Sequence, residues 1–166
     1  MIEVYIDSDV IVASEIEGEE HHQESKEFME YVLTSNKDDI TFFTSIFTFV
    51  ELASAMIRRT NDKDKAYSLL YRIRNSWKNS ILPLPPIPQE NRASFTKLVD
   101  TLIETSIQFR TPSGDTIHAQ TVAGYEIDCL VTWNARHFSS MEKQIQRLKV
   151  MTPTKALLEF RDKEKT

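Results

Sequence analysis

Short runs of β-branched and aromatic residues alternate with longer segments of helical spacing along the whole chain, and this alternation constrains the fold more than any other feature. Residues 2–6 (IEVYI), 40–44 (ITFFT), 129–132 (CLVT) and 149–151 (KVM) read as strands. The first runs straight into Asp7-Ser8-Asp9 and the apolar stretch 10–13, an acidic turn followed by a short helix. A polar segment, 15–24, separates this from a helix over about 23–33 with Phe28, Tyr31 and Val32 among its apolar positions. Residues 36–39 (NKDD) form a turn cluster. The stretch 47–57 (FTFVELASAMI) is apolar almost all round and predicts a buried helix. Helical spacing continues over 61–79 through Ala66, Leu69, Leu70, Ile73 and Trp77, and over 89–108 through Phe95, Leu98, Leu102 and Ile103. Between them, 81–88 (ILPLPPIP) carries four prolines, which permit only a short edge strand and a rigid connection. A helix over 113–125 has Ser113 as its expected N-cap, and Thr152 with Pro153 opens a last one.

Strands separated by helices imply a mostly parallel sheet covered on both faces, a three-layer α/β/α sandwich. A chain of 166 residues with 40% apolar content suits one domain with one sizeable core, and only three glycines leave much of it helical. The expected unit is 1–166, with a helical and Pro-rich middle region over 61–110. The single cysteine, Cys129, excludes an internal disulfide and a cysteine zinc site, and points to a cytoplasmic protein. The N-terminus shows no signal-peptide pattern, and no run of about 18 apolar residues predicts a membrane span. A net charge of −5 argues against a basic protein that coats nucleic acid. It leaves a nuclease open, because a site that collects carboxylates for cations contributes negative charge itself.

In an open parallel sheet, ligands bind beyond the carboxyl ends of the strands. Asp7 stands at the end of the first strand, Glu51 early in the helix after the second, Asp115 at the start of the helix before CLVT, and Asn134 just after it. Three carboxylates and an amide oxygen suit one or two hard divalent cations such as Mg²⁺, which could orient a water and stabilise charge on a phosphate. Each has a plainer reading. Asp7 can be a turn residue or N-cap, Glu51 the partner of Thr48 in a capping box, Asp115 a complement to the helix dipole, and Asn134 a cap. The carboxylate of Glu51 stands in an apolar segment with no basic residue before Arg58, which favours the metal reading for it. The case rests on the four together.

Three segments resemble the PIN-domain family, above all the short single-domain nucleases that act as VapC-type toxins. They are YIDSDVIV at 5–12, TFVELASA at 48–55 and, most specifically, GDTIHAQTVAGYEIDCLVTWNARHF at 114–138. The resemblance covers nearly the whole chain, with a longer helical middle between Asn61 and Gln108. It implies the three-layer PIN-like fold, Mg²⁺- or Mn²⁺-dependent endonucleolytic cleavage of RNA, and acidic ligands at Asp7, Glu51 and Asp115. Many family members carry a fourth aspartate where this chain has Asn134, which offers one neutral oxygen and leaves open whether one or two ions bind. The resemblance also gives Ser8 a place near the metal and implies a homodimer and a small antitoxin protein as partner.

His118, one turn beyond Asp115, could reach substrate or simply pack between helix and sheet. Arg58 and Arg59 could meet a phosphate backbone or end a helix in solvent. Asp128 begins a strand, on the side away from the site. Three rival functions remain, one of them a purely structural interaction protein held by its helical middle. A catalytically silent PIN-like module would bind RNA or protein without cutting. A haloacid dehalogenase-type phosphatase would use Asp7 of Asp7-Ser8-Asp9 as nucleophile, but Ala119 stands where its second aspartate is needed, and Glu51 has no use there.

Overall fold

The structure is a computed structural model and describes residues 1–35, 39–77, 80–86 and 95–163. Five strands form one sheet: β1 (Ile2–Ile6), β2 (Ile40–Ser45), β3 (Ile81–Leu84), β4 (Cys129–Val131) and β5 (Lys149–Met151). Their order is β3-β2-β1-β4-β5 and every neighbouring pair is parallel. The proline-rich run supplies β3, at the edge, where Pro83 opposite Thr44 lacks an N–H that no outer neighbour would have used.

Side-chain alternation along the strands divides the interior in two. Val4 and Ile6 of β1, Phe42 of β2 and Val131 of β4 face one core. That core is closed by α1 (Ser8–Glu15), α2 (His22–Thr34), α3 (Thr48–Thr60), α4 (Lys63–Ser76) and α8 (Pro153–Lys163). Tyr5 and Leu130 point to the other face. There they meet α5 (Phe95–Phe109), α6 (Thr116–Gly124) and α7 (Ser139–Gln144) through Phe109, Ala119, Val122 and Met141. The three-layer α/β/α sandwich with a parallel sheet is therefore the observed architecture. No helix among the described residues is long and apolar enough to cross a membrane.

Several local expectations change. The turn at 36–39 lies outside the described residues apart from Asp39, as does the start of the helix expected from residue 89. The helix after Gly114 begins at Thr116 with Asp115, not Ser113, in the capping position. The segment 47–57 is not buried all round. In α3 only Thr48, Leu52 and Ala55 are fully buried, whereas Val50 and Ile57 face outward. The helix packs one side on the sheet and on α1 and α4 and leaves the other side exposed.

Two substitutions in α3 separate these faces. Leu52→Ala opens a cavity in the core and should cost about 2–5 kcal/mol of unfolding free energy. Val50→Ala, at a side chain 60% exposed, should stay within about 0.5 kcal/mol of the parent protein. Equal losses in urea unfolding would restore the all-round burial of this helix.

Candidate functional site

The parallel register sets the carboxyl ends of the central strands side by side. Ile6 pairs with Val131, and the Asp7 amide donates to the Val131 carbonyl at 3.0 Å, so Asp7 and Thr132 leave the sheet together. The end of β2 is tied to the same point. Thr44 donates its hydroxyl to the Ile6 carbonyl at 2.8 Å and lies 2.8 Å from the Thr48 hydroxyl at the start of α3. That anchor fixes the helix carrying Glu51. Thr48 is thus engaged with Thr44, while the Glu51 carboxylate reaches across to α6, so no capping box forms.

At the centre stands His118, only 1% exposed. Its Nε2 lies 2.9 Å from Glu51 Oε2 and 3.4 Å from Ser8 Oγ. Its Nδ1 lies 2.7 Å from the Tyr5 hydroxyl and 3.6 Å from Asp7 Oδ1. Burial opposes a charge on this ring, but Asp7 and Glu51 outweigh it and push its pKa up to about 9. The imidazolium then donates from both nitrogens and serves as the counter-charge of the site. Glu51, also partly desolvated, is held below its ordinary value by His118. Tyr5, fully buried and beside Asp7, is raised far above neutral pH and stays a neutral phenol.

Asp7 is 2% exposed and fills two roles. It caps α1 by accepting from the Ser8 amide at 2.7 Å, as its plainer reading supposed, and it also faces the cluster. Burial and Asp115 raise its pKa, against the opposing effects of His118 and Thr132. The Thr132 hydroxyl lies 2.9 Å from Asp7 Oδ2 and 2.9 Å from Asp9 Oδ2. One hydroxyl hydrogen cannot satisfy both. Asp9, desolvated and next to Asp7, is correspondingly raised to about 7, and its buried Oδ1 has no partner among the described residues.

Asp9 organises the loop after β4. Its Oδ2 accepts from the amides of Trp133 and Asn134 and from Asn134 Nδ2 at 2.9–3.1 Å. The Asn134 side chain therefore turns its nitrogen to Asp9. Trp133 completes the clamp by stacking on His21, with ring centroids 4.0 Å apart, and donating to Ser25 at 2.8 Å. Asp115 makes no side-chain cap to α6; its carboxylate lies 2.7 Å from His137 Nδ1. Its field still reaches Asp7 and His118.

Asp7, Glu51 and Ser8 thus meet around His118, with Asp115 at the margin and Asn134 on Asp9. Tyr5, Asp9, Thr132 and His137 were not singled out from sequence for the roles they fill. Thr132 and Asp9 stand at strand ends and were findable by the same rule as Asp7; His137 lies in an irregular segment that gives no such signal. Arg59 is occupied elsewhere, pairing with Glu19 at 3.3 Å and donating to the Gly18 carbonyl at 2.7 Å. Asp128 accepts from the Glu3 amide at the opposite end of the sheet, away from the site as expected.

No group of three or more His, Cys, Asp or Glu side chains among the described residues is arranged to hold a metal ion. The donor chemistry nevertheless fits a hard cation. Asp7, Asp9 and Asp115 repel one another and one buried carboxylate oxygen is orphaned, a set of strains that an oxygen-seeking divalent ion would relieve.

The shifts set a sign for the pH dependence of the metal-free protein. A pKa raised on folding favours the protonated form, so stability falls as pH rises from the unfolded to the folded value. For Asp9 that window runs from about 4 to about 7, and for His118 from about 6.5 to about 9. Thermal unfolding in chelator should give a lower Tm at pH 9 than at pH 6, by several degrees. Asp9→Asn should raise Tm at pH 8. A flat profile over pH 5–9, or a lower Tm for Asp9→Asn at pH 8, would contradict this electrostatic account.

No family model matches the chain, and no curated protein matches it. Solved structures do. The crystal structure of Mycobacterium tuberculosis VapC20, described as a Sarcin-Ricin loop cleaving toxin, matches with a TM-score of 0.54 at 15% identity, covering 76% of this chain and 86% of that one. The structure of VapBC-1 from nontypeable Haemophilus influenzae matches with a TM-score of 0.58 at 14% identity, covering 92% of this chain and 99% of that one. At such identities the likeness is one of fold: the five-stranded parallel sheet between two helical layers is the PIN-like α/β fold shared with these VapC structures.

Proposed function

We propose that this protein is a metal-dependent endoribonuclease that cleaves RNA phosphodiester bonds and acts as the toxin of a toxin–antitoxin pair. The observation that carries this reading is the set of carboxylates at the carboxyl ends of β1 and around α3 and α6, more acidic groups than one histidine neutralises. The fold shared with a Sarcin-Ricin loop cleaving toxin supports the same reading. Asp7, Glu51 and Asp115 would hold Mg²⁺ or Mn²⁺. Asn134 could join only through its carbonyl oxygen, since its nitrogen is engaged by Asp9. When bound, the ion would supply an oriented water and offset the charge developing on the phosphate. Thr132 and Ser8 steady Asp7, and Tyr5 holds His118 in place from below. The phosphatase alternative gains nothing, because Ala119 still stands where its second aspartate is needed and the cluster includes Glu51, for which that chemistry has no use.

A second reading has its own observation. His118 already occupies the ground between Asp7 and Glu51, the same carboxylates the cation needs. A silent RNA-binding module would keep it there permanently. Cleavage of single-stranded RNA with added Mg²⁺ or Mn²⁺, abolished by chelator, decides between them. Asp7→Asn, Glu51→Gln and Asp115→Asn should each lower the rate by at least about 10²-fold, a typical loss for removing an electrostatic catalytic group, with the fold retained. Activity surviving excess chelator would remove the metal mechanism, and tight Mn²⁺ binding with no cleavage of any RNA would reject the nuclease.

The partners belong to the same proposal. Ile46, Val50, Ile57, Tyr67 and Tyr71 lie exposed on and around α3 and α4, and a second copy of the chain would cover such apolar surface. A small antitoxin protein could inhibit by placing an arginine on the Asp7 and Glu51 carboxylates in competition with the cation. The protein would work in the cytoplasm, where its RNA substrate is found. Sedimentation should give a species of twice the 19.3 kDa chain mass; a single monomer at micromolar concentration would reject the dimer.

A further inference from the structure

Beside the carboxylate cluster lies a cavity of about 480 Å³ with the opposite character. Three cations line it from three separate segments: Arg110 at the end of α5, Arg136 in the short turn Ala135–Phe138 after β4, and Lys143 in α7. None of the three has a carboxylate partner among the described residues. Elsewhere on the surface Arg59, Arg72, Arg147 and Lys149 are each paired, with Glu19, Glu15, Glu126 and Glu159.

The cavity is joined to the acidic site through His137. That residue lines the cavity and holds Asp115 at 2.7 Å, so the boundary between the basic and acidic regions is a single histidine–carboxylate pair. Glu142, the acid on α7, is turned away and accepts from the Val150 amide at 2.9 Å. The Ser140 hydroxyl accepts from Gln144 at 3.0 Å, which leaves its own hydrogen free to donate into the cavity. Arg110 stands at φ 56°, in the left-handed region that glycine occupies freely and arginine does not, and the turn is pinned by Ser106 donating to the Thr111 carbonyl at 3.0 Å.

We propose that this cavity is a binding subsite for a backbone phosphate of the RNA substrate, next along the strand from the bond presented to the carboxylates. Two guanidinium groups and an ammonium surround a space large enough for a phosphodiester with its flanking sugars, and guanidinium groups match phosphate oxygens in a bidentate way. The subsite supplies what the acidic site cannot. A polyanion approaching Asp7, Asp9, Glu51 and Asp115 is repelled unless cations hold its adjoining phosphates. The inference rests on RNA as substrate, but not on cleavage.

The experiment is fluorescence anisotropy of a labelled single-stranded RNA oligonucleotide with the full chain in chelator, so that no cutting occurs, at salt concentrations between about 50 and 200 mM. The logarithm of affinity should fall linearly with the logarithm of salt. Loss of this one phosphate contact in the triple variant Arg110→Ala, Arg136→Ala, Lys143→Ala should reduce the steepness by about 0.7. Lys143→Ala alone, at an exposed side chain, should lower the slope in the same direction if the triple variant fails to fold. Lys143→Arg should keep the wild-type slope, and Lys155→Ala, a cation outside the cavity, should leave it unchanged. An unaltered slope in the cavity variants, a loss matched by Lys155→Ala, or no binding of RNA by the wild-type chain overturns the proposal. Salt-dependent binding that these variants weaken, without cleavage under any divalent cation, overturns the nuclease reading and upholds the subsite.

Discussion

The placement of β1 between β2 and β4 is the constraint on which everything functional depends. Its hydrogen-bonded register with both neighbours brings the end of β1, the start of α3 and the exit of β4 to one point, and no element could shift by a residue without dispersing the carboxylates. Tyr5 and Ile6 show the economy of the arrangement. As consecutive residues of a strand they face opposite layers, so Tyr5 supports His118 from the α6 side while Ile6 closes the other core. Asp7 follows at the point where the sheet ends and the helix begins.

The electrostatics of that point are unbalanced by design of the fold rather than by any single residue. Several carboxylates are desolvated together, and the buried counter-charge is one imidazolium shared between Asp7 and Glu51. A single threonine hydroxyl serves two aspartates, and burial together with the neighbouring Asp7 raises the Asp9 pKa to about 7. A site in this state has a standing preference for added positive charge, whether proton, metal ion or an arginine from a partner. The basic cavity beyond Asp115 has the opposite character: one region gathers carboxylates and the adjoining one gathers cations.

The loop after β4 links these two regions. Asp9 gathers its amides, Trp133 locks it to α2, and Arg136 and His137 then stand a few residues further on. The chain thus passes from acidic site to basic cavity within residues 132–143.

Much of this was legible in the residues themselves. The β-branched runs identify the strands, their alternation with helices implies a parallel sheet, and the rule that such sheets use their carboxyl ends singles out Asp7, Glu51 and Asp115. Periodicity reports which residues share a face, but not what covers that face. Hence the apolar sequence of α3 suggested complete burial although Val50 and Ile57 are exposed. It also does not report partners distant in sequence. His118 was as readable as a core histidine as it was a functional one, until the fold set it against Glu51, 67 residues away. Asn134 was legible as an amide at a strand end, but chain order does not show that Asp9, 125 residues distant, takes its nitrogen. The grouping of Arg110, Arg136 and Lys143 left no pattern in the sequence. The sequence determined the elements, the class of fold and the acids at the strand ends, because these follow from local propensity and side-chain period. Only the tertiary structure decided which charges neutralise one another and which remain uncompensated, because that depends on distances between segments that the chain order does not encode.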